Sequence, residues 1–138
     1  MNSRIIHGSC LCGDVRFELD DDFSRFHFCH CVQCRKASGA AHGANFFTRP
    51  ENIRWLAGEQ LVKRYDVPNR TITNAFCVQC GSGLPYLSSS GTALVVQAGC
   101  LDDTPNCSPH SNIFWHERPA WYDAAVASPH HDGFPPDF

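Results

Sequence analysis

Cys10-Leu11-Cys12-Gly13-Asp14-Val15-Arg16-Phe17-Glu18-Leu19-Asp20 carries two patterns in succession. In its second half Val15, Phe17 and Leu19 alternate with Arg16, Glu18 and Asp20, the period-two signature of a strand with one buried face. That reading predicts a strand from Gly13 to Leu19. The same short apolar rhythm, rich in β-branched and aromatic residues, predicts strands at Arg25–Phe28, Ala44–Thr48, Ile53–Leu56, Leu61–Tyr65 and Thr71–Phe76. Further strands are predicted at Leu84–Leu87, Ala93–Ala98 and Asn112–Trp115, with Gly, Pro, Asn and Asp between them. Only Cys31–Ser38 reads as a helix, about two turns long and ending at Gly39, a residue suited to a left-handed cap. Without alternating strand and helix there is no basis for a parallel sheet, so the expected class is all-β, with folded antiparallel sheets and one short helix. The tail Ser128–Phe138, with Pro129, Pro135 and Pro136, is expected to lie extended over the surface.

Length and charge narrow the function. The 138 residues suit a single domain, 1–138, and a hydrophobic content of 43% argues against disorder. The net charge is −3, and only Lys36 and Lys63 among the 11 cations are lysines. A basic nucleic-acid binder is therefore not expected. No apolar run is long enough to span a membrane, and the start of the chain passes into Gly8 and Cys10 without a secretory core. The expected location is the cytoplasm, where thiols stay reduced and nine Cys point to metal or catalysis before disulfides.

The first half of the opening stretch is the second pattern. Cys10 and Cys12 pair at one spacing, Cys77 and Cys80 at another, and Cys29, Cys31 and Cys34 form a triplet. One or two intervening residues let neighbouring thiolates turn onto one ion, and Gly13 and Gly81 suit the tight backbone of such a knuckle. Two pairs make a closed four-thiolate site. The triplet makes a three-thiolate site with a position left over. Closed zinc sites are structural and open ones catalytic, so the first would clip together segments 64 residues apart and the second would take a substrate. Four thiolates also accept iron. His27, His30, Cys100 or Cys107 remain possible fourth ligands that would close the triplet. His30 otherwise points away from the metal or orients a thiolate. Arg35, Lys36 and Ser38 follow the triplet on the predicted helix. The two cations are candidate partners for a substrate carboxylate, or a solvated face. Ser38 is a candidate donor to a developing alkoxide, or a helix-end hydroxyl bonding its own backbone. Cys100 reads as a small buried hydrophobe, Cys107 as a loop thiol, and His130-His131 as surface.

These motifs resemble the glutathione-dependent formaldehyde-activating enzyme family, whose domain is shared with the centromere protein V group. The likeness rests on Gly8-Ser9-Cys10-Leu11-Cys12-Gly13-Asp14-Val15-Arg16-Phe17, on Cys29-His30-Cys31-Val32-Gln33-Cys34-Arg35-Lys36-Ala37-Ser38-Gly39-Ala40, and on Phe76-Cys77-Val78-Gln79-Cys80-Gly81-Ser82-Gly83-Leu84. The resemblance implies an Mss4-like all-β fold, a structural zinc on the four outer Cys and a catalytic zinc on Cys29, Cys31 and Cys34. It also implies a carbon–sulfur lyase or synthase that acts on a thiol such as glutathione and an aldehyde such as formaldehyde. Two departures stand out: Asn112 occupies a place where many members carry His, with His110 two residues earlier, and Ala124–His131 looks like an insertion. Three thiolates leave a zinc site net negative, which weakens its Lewis acidity and favours a role in positioning the substrate sulfur. A homodimer is a further expectation. The competing reading is a zinc-stabilised module that binds protein or nucleic acid and catalyses nothing.

Overall fold

The structure, a computed structural model, describes residues 4–138. Three sheets form among them. The first orders β1 (Ile5–Ser9), β2 (Arg16–Asp20) and β5 (Arg54–Ala57), all antiparallel. The second orders β10 (Ser111–Ile113), β3 (Arg25–Cys29), β4 (Gly43–Thr48), β9 (Leu94–Gln97) and β8 (Tyr86–Leu87). The third pairs β6 (Val62–Asp66) with β7 (Thr73–Cys77). Every predicted strand has a counterpart, so the all-β class with its folded antiparallel sheets is observed.

Three local differences have physical causes. Strand β1 is unpredicted because its buried positions are Ile6 and Gly8, a single large side chain. Gly8 is small for a reason: a methyl there would lie 2.2 Å from the Phe17 ring. Strand β10 runs parallel to β3, with Ser111 opposite His27 and Ile113 opposite Cys29, where an antiparallel neighbour is expected. The chain between these two strands includes β4 to β9, ample for the crossover a parallel pair requires. The third is a second short helix, α2 (Tyr122–Ala127), which overlaps the start of the stretch that the sequence marks as an insertion. None of its residues is buried, so no apolar stripe announces it.

The predicted helix is α1 (Val32–Ser38). Cys31 caps it by accepting the Cys34 N–H, and Gly39 ends it in the left-handed region at φ 66°. The core joins the sheets through Phe17 and Leu19 of the first, Phe46, Leu94 and Val96 of the second, and Leu84. Burying a side chain of this size contributes roughly 1.5–3 kcal/mol. Cys10, Cys77 and Cys100 belong to the same cluster, so the cysteine knuckles grow directly out of the core. Gln97 ties β9 to the third sheet: its amide N–H groups donate to the carbonyls of Ala75 and Leu84 at 3.0 and 2.9 Å.

Candidate functional site

Two knuckles build the four-thiol nest. In one, Cys10 follows β1 and the chain turns back through Gly13 at φ 83°, closed by the Gly13 N–H to the Cys10 carbonyl. In the other, β7 ends on Cys77 and the chain turns through Gly81 at φ 77°, closed by the Gly81 N–H to the Cys77 carbonyl. Glycine adopts this backbone without the steric penalty of a Cβ. The sulfurs of Cys10, Cys12, Cys77 and Cys80 all lie within 4.8 Å of one another. Cys10 and Cys12 stand 3.4 Å apart, and Cys12 and Cys77 4.0 Å. A tetrahedral ion with metal–sulfur bonds near ~2.3 Å needs sulfurs about 3.8 Å apart, so the nest fits one.

Residues that sequence reasoning passed over stitch the knuckles together. The Ser82 hydroxyl oxygen accepts the Leu11 N–H at 2.8 Å and lies 3.3 Å from Cys80 Sγ. Gln79 donates to Asp14 Oδ2 at 2.7 Å and reaches Cys12 Sγ at 3.5 Å. Their only sequence signal is adjacency to Cys80. The Ser82 hydroxyl brings the Cys80 thiol down to about 5. On Cys12 the N–H of Asp14 pulls downward, but hydrogen bonding with the Cys10 thiol, burial and the Cys80 thiol together prevail and raise it to about 11. Four anions at this spacing repel, so one thiol ionises readily while another holds its proton until a cation arrives.

The second nest sits at the junction of β3 and α1. Cys29, Cys31 and Cys34 bring their sulfurs within 4.8 Å of one another, and among the described residues no further His, Cys, Asp or Glu joins them. Burial and the neighbouring thiols push Cys34 well above the usual thiol range, and burial likewise raises Cys29. Burial opposes ionisation of Cys31 most strongly, but the N–H groups of Cys34 and Gln33 and the thiols of Cys34 and Cys29 together outweigh it, and the thiol is lowered. The nest can hold a metal ion with three protein ligands.

The other candidate ligands are placed elsewhere. His30 is fully buried and its Nε2 lies 2.9 Å from Asn112 Oδ1, so the departure at Asn112 supplies a partner for the histidine between two ligands. His42, Trp115 and Tyr122 pack around its ring at 4.8–5.0 Å, which gives α2 a role in covering it. His27 Nδ1 lies 2.9 Å from the Ser111 hydroxyl, and His110 Nδ1 accepts the Phe26 N–H. Cys100 is a core thiol that burial pushes up to about 12. Cys107 stands half-buried, raised by burial and by Asp21, and His130-His131 is exposed.

A cleft of about 840 Å³ is lined by residues of both nests, Cys10 and Gly81 from the first and Cys34 from the second. Gly43 borders the triplet: a methyl there would meet Cys34 Sγ at 3.8 Å. Of the three residues expected to contact substrate, Ser38 lines this cleft, and Arg35 and Lys36 do not. Each residue along α1 rotates about 100° from the last, so Cys34, Ala37 and Ser38 share a face that Arg35 and Lys36 leave. Arg35 instead donates to the Glu117 carbonyl at 3.2 Å, and Lys36 is exposed. The Ser38 hydroxyl donates to the Cys34 carbonyl at 2.8 Å, the helix-end bond weighed against its catalytic reading. Among the described residues no helix is long and apolar enough to cross a membrane.

The profile of the family described as "Glutathione-dependent formaldehyde-activating enzyme" matches residues 5–117, a stretch that contains both nests and ends before α2. A solved crystal structure of a Rhodobacter sphaeroides protein superposes with a TM-score of 0.60 at 20% sequence identity, over 77% of this chain and 98% of that one. At that identity the likeness establishes the fold. No curated protein matches the chain.

Proposed function

The chain belongs to the glutathione-dependent formaldehyde-activating enzyme family, and from this premise we propose that it is a cytoplasmic, zinc-dependent carbon–sulfur lyase or synthase acting on a thiol–aldehyde adduct such as S-hydroxymethylglutathione. The observation that carries the reading is the inequality of the nests: four thiols close enough to share one ion, and three, with Cys34 lining a cleft, that have no fourth ligand among the described residues. In the four-thiol nest zinc is structural. Cys29, Cys31 and Cys34 would hold zinc in the second nest, and there it would favour the thiolate form of a substrate sulfur at neutral pH.

The chain's own groups do the rest. Cys29, Cys31 and Cys34 present sulfur from a strand end and a helix start, two elements that fix their directions. The cleft beside Cys34 has room for a peptide thiol, and the side-chain amides of Asn45 and Asn74 line it as partners for the carboxylate and peptide groups of glutathione. They take the place assigned from sequence to Arg35 and Lys36. In the synthetic direction the thiolate sulfur attacks the aldehyde carbon, the C=O π pair moves to oxygen, and the alkoxide takes a proton from water. Cleavage is the reverse.

Exchange spectroscopy on mixed glutathione and formaldehyde tests the reading. The zinc-loaded protein should accelerate exchange between free thiol and adduct in proportion to its concentration, and Cys34→Ala should abolish the acceleration. Exchange that stays at the uncatalysed rate at every substrate level would favour the binding-module reading.

A further inference from the structure

We propose that the phenol O–H of Tyr86 donates a hydrogen bond to the substrate oxygen, the atom on which negative charge collects while the carbon–sulfur bond forms or breaks. This rests on the lyase reading of the three-thiol nest and adds a donor to it. Tyr86 lies on β8, opposite Val95 of β9, and lines the cleft that also reaches Cys34. Its neighbourhood fixes the ring. The Arg64 guanidinium stands 6.0 Å from the ring centroid, and Arg64 is itself held by both carboxylate oxygens of Asp66 and by the Leu87 carbonyl at 2.6 Å. A cation anchored this way faces the ring and restricts it.

The hydroxyl is available. Nothing among the described residues engages it, whereas the other hydroxyl considered for this task, Ser38, spends its proton on the Cys34 carbonyl. Burial, and then the nearby Cys34 sulfur, push the Tyr86 phenol up to about 12 despite the opposing Arg64 charge. The group therefore keeps its proton across the physiological range and can donate it in a hydrogen bond. Tyr86 and Cys34 line one cleft, which puts the phenol and the open nest on the same solvent-filled space. The proton count is simple. In cleavage the adduct hydroxyl gives its proton to water, the alkoxide rests on the phenol O–H, the carbon–sulfur pair leaves with sulfur, and the carbonyl forms. Tyr86 ends as it began. Donors aimed at a developing oxyanion have large effects because they are organised before the charge appears.

The test uses Tyr86→Phe, which keeps the ring and removes the hydroxyl. Zinc content and thermal melting should match the parent. Adduct exchange should slow by about a hundredfold in kcat with KM little changed, the size seen when one oxyanion donor is lost. A second readout is independent of turnover: calorimetric binding of S-(methoxymethyl)glutathione and S-propylglutathione, which differ by one oxygen for one methylene. The parent should prefer the oxygen analogue by about fivefold, the scale of one neutral hydrogen bond, and the variant should show no preference. Wild-type kcat in Tyr86→Phe, or an equal preference in both proteins, overturns the assignment. A parent that shows the oxygen preference and loses it in the variant, yet accelerates no exchange, would overturn the lyase reading while supporting the Tyr86 contact.

Discussion

The tetrapeptide Cys-Val-Gln-Cys occurs twice, at 31–34 and at 77–80, and the two copies fold differently. In the first, Cys31 caps a helix and Cys34 lies within it. In the second, Cys77 ends a strand and Cys80 lies in a turn. The residues that follow decide. Arg35-Lys36-Ala37-Ser38 continues a helix readily, whereas Gly81-Ser82-Gly83 stops one and turns the chain at φ 77°. The residues that precede decide the ligand count. The second copy meets a pair, Cys10 and Cys12, from a distant stretch of the sequence, and the first, among the described residues, meets only Cys29 at the end of the preceding strand. One ligand motif thus makes a closed clip or an open seat according to its flanks, which is why the motif alone is a poor guide to chemistry.

The largest expected effect would break this comparison outright. Cys80→Ala removes a ligand from a site whose metal contributes on the order of 10 kcal/mol to folding, and circular dichroism should show the fold lost. Cys31→Ala should keep the fold and lower the zinc content from two per chain to one. If both variants unfold alike, the nests are both structural and the distinction fails.

Acid should separate the nests more gently. Metal binding must displace protons from thiols that the protein holds protonated, so affinity falls as pH falls. In the three-thiol nest Cys29 and Cys34 are raised and only Cys31 is lowered, whereas in the four-thiol nest Cys10 is lowered and Cys80 is down to about 5, against a single raised thiol, Cys12 at about 11. Zinc should therefore leave the triplet at a higher pH than it leaves the quartet. Zinc release followed with a chromophoric chelator during acidification should give two steps, the first without change in the circular dichroism. A single step with simultaneous unfolding would contradict it.

The smallest effect compares the same glutamine in each copy. Gln79 bridges Asp14 and Cys12, whereas Gln33 only accepts from Arg70 at 3.3 Å on the surface. Gln79→Leu should lower stability by about 1 kcal/mol and Gln33→Leu by less than about 0.5 kcal/mol, both by denaturant melts.

Much of this arrangement is visible in the chain as written. Strands declare themselves when several large side chains alternate, as at Val15, Phe17 and Leu19; β1 does not, because one of its buried positions is glycine. The grouping of ligands follows from spacing, because sulfurs one or two residues apart have few ways to meet an ion. Cleft residues escape this kind of reading. Asn45, Asn74 and Tyr86 come from three strands and owe their convergence to register, Asn45 facing Gln97 and Tyr86 facing Val95. Asn112 reads as a mere departure until its amide oxygen is seen beside the buried His30 ring. Arg35 and Lys36 lie off the cleft for the opposite reason: adjacency to Cys34 in a helix turns a side chain away from it.

The quartet also imposes an order on biosynthesis. Cys10 and Cys12 leave the ribosome while Cys77 and Cys80 are still untranslated, and two sulfurs alone hold an ion weakly. With zinc as the clip, the hairpin of β1 and β2 would wait, unlocked, until Cys80 emerges. Scarcity of free zinc would then act on the nascent chain and set how much protein matures, before it could limit the turnover of any finished molecule.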